Sequence, residues 1–380
     1  VPEEALPLPP LGRAPPRLAC VDALRGLAAL AVMIHHANSS FWRYSARPQM
    51  GLAAWSNAIL RHGEFGVLLF FVISGLCIHL PHAGERAIEF KAFFQRRFWR
   101  LYPPYLVTCL IVFALAGVQK HPGVNPRNFM GHLVFVQFWR DFSDARGITP
   151  VLWSLAAEVQ FYFFYALLLP MLRKIGFGRA AVLGILIGAI YRASFPHFAA
   201  SVPVAMTPKL FAPIRFGEWL LGAWIAEAYA RGMLRAMTAR AAIILLSMGA
   251  ALVVVGGRIS TSRGFGERQE DWIASIGFAL IMASLIRHES NRPIVSRSVV
   301  LDWLADRSYS LYLIHFAVIS GAGIAWARLA HIPDRDAAAG TLRWLPGILI
   351  GLACSFVAGD LMFRLIERPS HRLARKLART

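Results

Sequence analysis

Negative charge is scarce in this chain, and charge of either sign is sparse. Of 380 residues 21 are acidic and 16% are charged, against 57% hydrophobic and a mean hydropathy of +0.50. That balance excludes an ordinary water-soluble domain and makes a bilayer the expected solvent. Cysteine is nearly absent too. Cys20, Cys77, Cys109 and Cys354 lie far apart in apolar stretches with no Cys-x-x-Cys pair, so neither a zinc site nor a disulfide framework is supported, and the four read as packing residues. No metal is expected. No small-residue cleavage site follows a lone apolar core, so a removable leader is not expected either. Internal duplication is missing as well, which weighs against a transporter built from paired repeats.

What is present in excess is basic charge. Forty Lys and Arg give a formal net charge of +19. They stand in short clusters that alternate with apolar runs of roughly 15 to 22 residues, the spacing of membrane topology rather than of a nucleic-acid surface. A nucleic-acid partner is not expected. A span needs about 20 mainly apolar residues, and segments near 19–38, 65–81, 101–119, 151–171, 180–196, 211–230, 240–256, 271–287, 307–327 and 344–366 meet that description. The fold class is therefore all-α, a polytopic transmembrane helical bundle of about ten spans. Residues 128–142 are too short to cross and are expected at the interface. With the N-terminus inside, 24 of the 40 basic residues fall on the inner side, so both termini are expected to be cytoplasmic. Three parts follow: a Pro-rich cytoplasmic tail over 1–18, one transmembrane domain over 19–369, and a basic cytoplasmic tail over 370–380.

Ionisable residues inside spans cost about 2.5 to 3.5 kcal/mol on insertion scales, so each is a functional candidate. On the first span Arg25 and His36 are eleven residues apart, three turns and about 20°, so they share a face roughly 16 Å apart along the axis. His35, turned about 100° from His36, is expected to pack against a neighbouring span. Arg97 and Arg100, at i and i+3 below the third span, suit phosphate oxygens; they fit positive-inside decoration or lipid headgroups as well. On the fourth span Ser154, Glu158 and Tyr162 recur at i, i+4 and i+8 as a polar stripe facing the bundle. Glu158 descends about 10 Å from outside, a depth comparable to that of His36, so imidazole and carboxylate can meet. Arg215 with Glu218 and Asp360 with Arg364 read as ion pairs within single helices. His315, one turn from Tyr312, either lines the same cavity or bridges helices.

Five segments in order resemble the acyltransferase-3 family of membrane acyltransferases. They are Arg25 with His36 as Arg-x(10)-His; Phe-Phe-Val-Ile-Ser-Gly at 70–75; Arg97 and Arg100 before Leu101-Tyr102-Pro103; Trp-Ser-Leu-x-x-Glu at 153–158; and Ser-Tyr-x-Leu-Tyr-Leu-x-His at 308–315. The resemblance covers nearly the whole chain. It implies an O-acyltransferase of the bacterial cytoplasmic membrane that moves an acyl group, usually acetyl, from cytoplasmic acetyl-CoA to an acceptor on or across the membrane. Acetyl-CoA is then a substrate, and no permanently bound cofactor is implied. Some relatives carry a fused extracytoplasmic hydrolase-like domain that is not expected here, which leaves carbohydrate, glycolipid and small hydroxylated acceptors all open.

In the resulting scheme Arg25, Arg97 and Arg100 hold the coenzyme phosphates. His36 acts as general base, or as nucleophile through an acetyl-imidazole, and Glu158 orients it. Ser74, Trp153, Ser154, Tyr162, Tyr309 and His315 are candidates to shape the cavity or donate to the developing oxyanion. The alternative is a secondary transporter that uses the intramembrane His and Glu as a proton relay. On the orientation, cysteines introduced near Ser45, Asn125, Ser201 and Ser262 in a cysteine-free background should react with an impermeant thiol reagent from outside, and those near Ala87, Gly176 and Ser290 should not. Reproducible outside labelling at Ala87 would reverse the topology.

Overall fold

The computed structural model describes residues 17–43, 60–83, 88–118, 125–137, 151–198, 210–262, 272–292, 298–331 and 345–377. Ser45, Ala87, Ser201 and the Pro-rich stretch before Arg17 lie outside them. The described chain is helical throughout, with no strand: α1 (Ala19–Arg43), α2 (Gly66–His79), α3 (Phe90–Val118), α4 (Pro126–Leu133), α5 (Trp153–Ile175), α6 (Phe177–Phe198), α7 (Ala212–Ala230), the short α8 (Met233–Ala236), α9 (Ala239–Ser262), α10 (Trp272–Asn291), α11 (Val299–Leu329) and α12 (Leu345–Met362). A π-helical turn, Phe363–Glu367, joins α12 to α13 (Arg368–Leu377).

Among the described residues nine helices are long and apolar enough to cross a membrane. The tenth expected span is α7, which carries Arg215, Glu218 and Glu227 yet buries most of its length against α2 and α6. The expected segments thus match the helices one for one. α4 is the short segment expected at the interface, capped by the Asn125 side chain, which accepts from the Asn128 amide at 2.8 Å. Two extensions differ from the sequence reading. α3 begins at Phe90, not near 101, so Arg97 and Arg100 stand on the spanning helix itself. The basic stretch expected as a tail from 370 is, through Leu377, the helix α13 packed on α3.

A pair of prolines inside α3 accounts for that docking. Pro103 and Pro104 have no N–H to give the carbonyls four residues back, those of Trp99 and Arg100. Ser370 donates its hydroxyl to the Trp99 carbonyl, and His371 is turned to that of Arg100. At the other end of the chain, Glu289 on α10 accepts from the first two amides of α1, Ala19 at 2.7 Å and Cys20 at 2.8 Å, which satisfies donors that no helix can satisfy for itself.

Charges within the bundle are paired. Glu218 lies 2.5 Å from Arg192 and 3.3 Å from Arg215, and it accepts from Ser275 at 3.1 Å. All three charged side chains are 0–1% exposed. The Arg215–Glu218 pair was legible from spacing; its partner Arg192, on α6, was not. Asp360 takes Arg364 at 2.8 Å, as its spacing suggests, and Arg307 at 2.5 Å.

The crossing of α2 with α7 depends on two glycines. A Cβ at Gly75 would stand 1.9 Å from the Trp219 carbonyl oxygen, and one at Gly222 would stand 1.8 Å from that of Val72. Only hydrogen fits at either point, so the backbones approach as closely as small residues permit. Gly222→Ala should therefore lower unfolding stability in detergent by about 1 to 3 kcal/mol, as overpacking does. Gly117→Ala, where a Cβ meets nothing within 4 Å, should cost nothing comparable. Equal melting curves for wild type and Gly222→Ala would show that the two helices can part freely.

Candidate active site

A cavity of about 560 Å³ runs into the bundle between α1, α2, α3, α5 and α11, with α13 at its mouth. Its lining includes eight of the eleven residues singled out from sequence: Arg25, Ser74, Arg97, Arg100, Ser154, Glu158, Tyr162 and Tyr309. Arg17, at the start of the described chain, and Arg375, near its end, share the same rim, so both ends of the bundle open on one face.

The mouth is rich in cations. Arg17 bridges Asp22 at 2.5 Å and Asp306 at 2.6 Å, and Arg25 lies 3.5 Å from Asp22 while donating to the Cys77 sulfur at 3.1 Å. Arg97 projects over the rings of Phe93, at 5.4 Å, and Tyr162, at 6.0 Å. Its buried Nε has no hydrogen-bond partner among the described residues. A guanidinium with an unused donor at the wall of a cavity is a place for an anionic oxygen.

Deeper in, Glu158 forms the hub of a polar cluster. It accepts from the Ser74 hydroxyl at 2.7 Å and the Tyr162 hydroxyl at 2.6 Å, and the Trp219 indole donates to Ser74 at 3.1 Å. The carboxylate is thus held by hydroxyls on α2 and on its own helix, not by the imidazole of His36 as its depth had suggested. Ser74 and Tyr162 spend their protons on Glu158. At the inner end Ser154 and Tyr312 bring their hydroxyls within 2.6 Å; Tyr312 donates its proton to the Val151 carbonyl at 2.8 Å, so Ser154 is the donor between the two. The rings of Phe70 and Tyr312 meet edge-on at 5.7 Å and close the cavity there.

His36 and His315 fall just beyond that closure, outside the cavity's lining. They are brought to each other: His315 Nε2 lies 3.1 Å from His36 Nδ1. His315 therefore bridges helices, α11 to α1. Its Nδ1 faces two carbonyls, Leu311 at 3.1 Å and Tyr312 at 2.8 Å. Carbonyls only accept, so Nδ1 of His315 bears the proton and, in the neutral ring, Nε2 is an acceptor. His36 Nδ1 then donates, towards His315 Nε2 and the Val32 carbonyl at 3.0 Å, which leaves Nε2 of His36 as its basic nitrogen. His35 is buried on the other side, against Ser39 at 3.4 Å. Trp153 also stands outside the cavity, packed edge-on against Phe71 at 6.0 Å and facing the Arg215 guanidinium at 5.6 Å.

Sequence reading did not find Cys77, Glu367, Arg368, His371 or Arg375 on this lining. The last three recur at i, i+3 and i+7, one face of a helix, a signal hidden by reading the segment as a tail. No group of three or more His, Cys, Asp or Glu among the described residues is arranged to hold a metal.

An all-helical membrane bundle with an arginine-rimmed cavity ending below a histidine pair is the class of protein defined by this geometry. The chain belongs to the acyltransferase family whose model, described as an acyltransferase domain, matches residues 18–360. It is 28% identical to the acyltransferase MdmB of Streptomyces mycarofaciens over 94% of each chain. It is 24% identical to the peptidoglycan O-acetyltransferase OatA of Listeria monocytogenes over 92% of this chain and 55% of that one. A putative O-acetyltransferase of Staphylococcus aureus strain COL is 26% identical over 79% of this chain and 50% of its own length. The chain thus spans about half the length of the latter two. No solved structure is a significant match.

Proposed function

We propose that this membrane protein is an O-acyltransferase that takes an acyl group, acetyl foremost, from acyl-CoA at the cytoplasmic face. It passes the group to a hydroxyl of a carbohydrate, glycolipid or small hydroxylated acceptor on or across the membrane. The observation that carries this reading is one continuous cavity leading from Arg97 and Arg100, which meet no carboxylate among the described residues, past Ser74, Glu158 and Ser154, to within a helical turn of the His36–His315 pair. The phosphates bind Arg97 and Arg100 with Arg25 near by, and the pantetheine arm extends inward along Cys77 and Ser74. A relative of nearly equal length, MdmB, is by its name an acyltransferase, which supports acyl transfer, and OatA is by its name a peptidoglycan O-acetyltransferase, which supports transfer to oxygen.

The chemistry then assigns each group a step. Nε2 of His36 takes the proton of the acceptor hydroxyl as its oxygen bonds to the thioester carbonyl carbon. The carbonyl oxygen becomes an oxyanion, and the Ser154 and Tyr312 hydroxyls at the inner end, released from each other and from the Val151 carbonyl as Tyr312 parts from Phe70, supply donors for it. Collapse breaks the carbon–sulfur bond, and the departing thiolate recovers the proton from the imidazolium. His315 holds His36 in the tautomer whose Nε2 is the basic nitrogen, the orienting role that a carboxylate fills in other triads. Glu158 instead organises Ser74 and Tyr162 along the donor's path. Phe70 and Tyr312 must separate for thioester and imidazole to meet. A proton-relay transporter has less support, because among the described residues Glu158 and His36 belong to two separate hydrogen-bonded groups.

Purified protein should release thiol from acetyl-CoA in the presence of a membrane extract containing acceptor. His36→Ala should reduce transfer by at least about 100-fold, the usual contribution of a general base. His315→Ala should also impair turnover, and the double variant should lose little beyond His36→Ala alone, because the two act as one unit. Coenzyme binding, read by calorimetry, should survive in all three. A well-folded His36→Ala protein with near-normal transfer would remove the histidine from the mechanism.

A further inference from the structure

The cationic rim has more guanidiniums than one phosphate group needs, and they come from two helices. Arg97 and Arg100 project from α3; Arg368 and Arg375 project from α13, with His371 between them on the same face. Among the described residues no carboxylate lies within 4 Å of any of these four guanidiniums. The nearest acid, Glu367, is engaged elsewhere: it accepts from Ser310 at 2.5 Å and stands 3.9 Å from His371 Nε2. That imidazole nitrogen is buried and has no hydrogen-bond partner. The docking of α13 is specific, since Ser370 fills the Trp99 carbonyl freed by Pro103, between Arg97 and Arg100. Guanidiniums from two helices, none of them against a carboxylate among the described residues, are therefore held side by side on one cavity.

Their order along the cavity matches the order of charges in coenzyme A. Arg97 is the inner member, against Tyr162 and so one residue away from Glu158. α13 forms the outer rim. In the coenzyme the diphosphate is nearer the thioester and the ribose 3′-phosphate is farther from it. We propose that α13 is a 3′-phosphate site: Arg368 and Arg375 bind the ribose 3′-phosphate of the acyl donor while Arg97 and Arg100 bind its diphosphate. The helix thereby makes the enzyme selective for coenzyme A over donors that carry phosphopantetheine alone. This rests on the reading that an acyl-CoA enters at this mouth.

The test compares coenzyme A with 3′-dephospho-coenzyme A by calorimetry on the full chain in detergent with a fixed, uncharged lipid. Headgroup binding cannot create a difference between two soluble ligands under those conditions. Wild type should bind coenzyme A at least about tenfold more tightly, the effect of one charge-assisted contact to phosphate. Arg368→Ala with Arg375→Ala should bind both ligands alike, at the wild-type affinity for the dephospho form. The single variants should lose part of the preference, and the paired lysine variants should keep part of it. Arg97→Ala should weaken both ligands while leaving their ratio unchanged. A wild type that binds both equally, or an α13 double variant that keeps the full preference with an unchanged melting curve, overturns the assignment. Erasure of the preference by Arg97→Ala alone would move the 3′-phosphate to α3. Binding of neither ligand by wild type would instead overturn the acyl-CoA reading itself.

Discussion

A polar group inside hydrocarbon must find its partner within the protein, and this one requirement sorts nearly every charge in the bundle. With 40 basic residues against 21 acidic ones, several carboxylates of the bundle gather more than one basic partner. Glu218 takes Arg192 and Arg215; Glu227 takes His79, Arg173 and Arg231; Asp360 takes Arg307 and Arg364. Such clusters fix helices to one another, because removing one partner leaves the other charged and stranded. Cations left without a carboxylate are tolerable only where water or an anionic ligand reaches them. In this bundle four of them, Arg97, Arg100, Arg368 and Arg375, line the mouth of the cavity, so part of the surplus of positive charge is gathered at the site.

Backbone groups obey the same requirement. Two adjacent prolines in a spanning helix would leave two carbonyls open, at a cost that proteins avoid by bringing in another donor. α13 supplies it through Ser370, and the consequence is geometric: the helix that satisfies Trp99 is placed next to Arg97 and Arg100. The π turn at Phe363–Glu367 belongs to the same junction, since it carries Glu367 to Ser310 on α11 just before α13 begins. Irregular helix geometry of this kind often accompanies functional sites, where a side chain must be aimed off the regular spacing.

The spans were legible because apolar length is a strong signal in a bilayer and hardly depends on which helices are neighbours. Residues whose role is local were legible too: the Arg215–Glu218 and Asp360–Arg364 pairs lie on single helices, and the Ser154, Glu158 and Tyr162 stripe faces inward as its spacing requires. What spacing could not supply was the pairing between helices. Glu158 and His36 at similar depth suggested a contact, yet α2 presents Ser74 to the carboxylate, and α11 presents His315 to the imidazole. Depth fixes one coordinate of a side chain; rotation and neighbour order fix the other two, and neither is written in one helix's sequence. Arg192 was missed for the same reason, since its acid lies on another helix.

The pairing of α1 with α11 gives the site its two ends. α1 carries Arg25 at the mouth and His36 beyond the closure; α11 carries Tyr309 on the lining, Tyr312 at the closure and His315 beyond it. Tyr312 and His315 are three residues apart, so they occupy nearly one face and move together. Tyr312 is tied to Ser154 and to the Val151 carbonyl on the α5 side, while His315 is tied to His36 on α1. Any displacement of α11 that parts Tyr312 from Phe70 must therefore also change the bond that sets the tautomer of His36. In the proposed mechanism, opening the path for a thioester and adjusting the base that meets it would then be one motion of one helix.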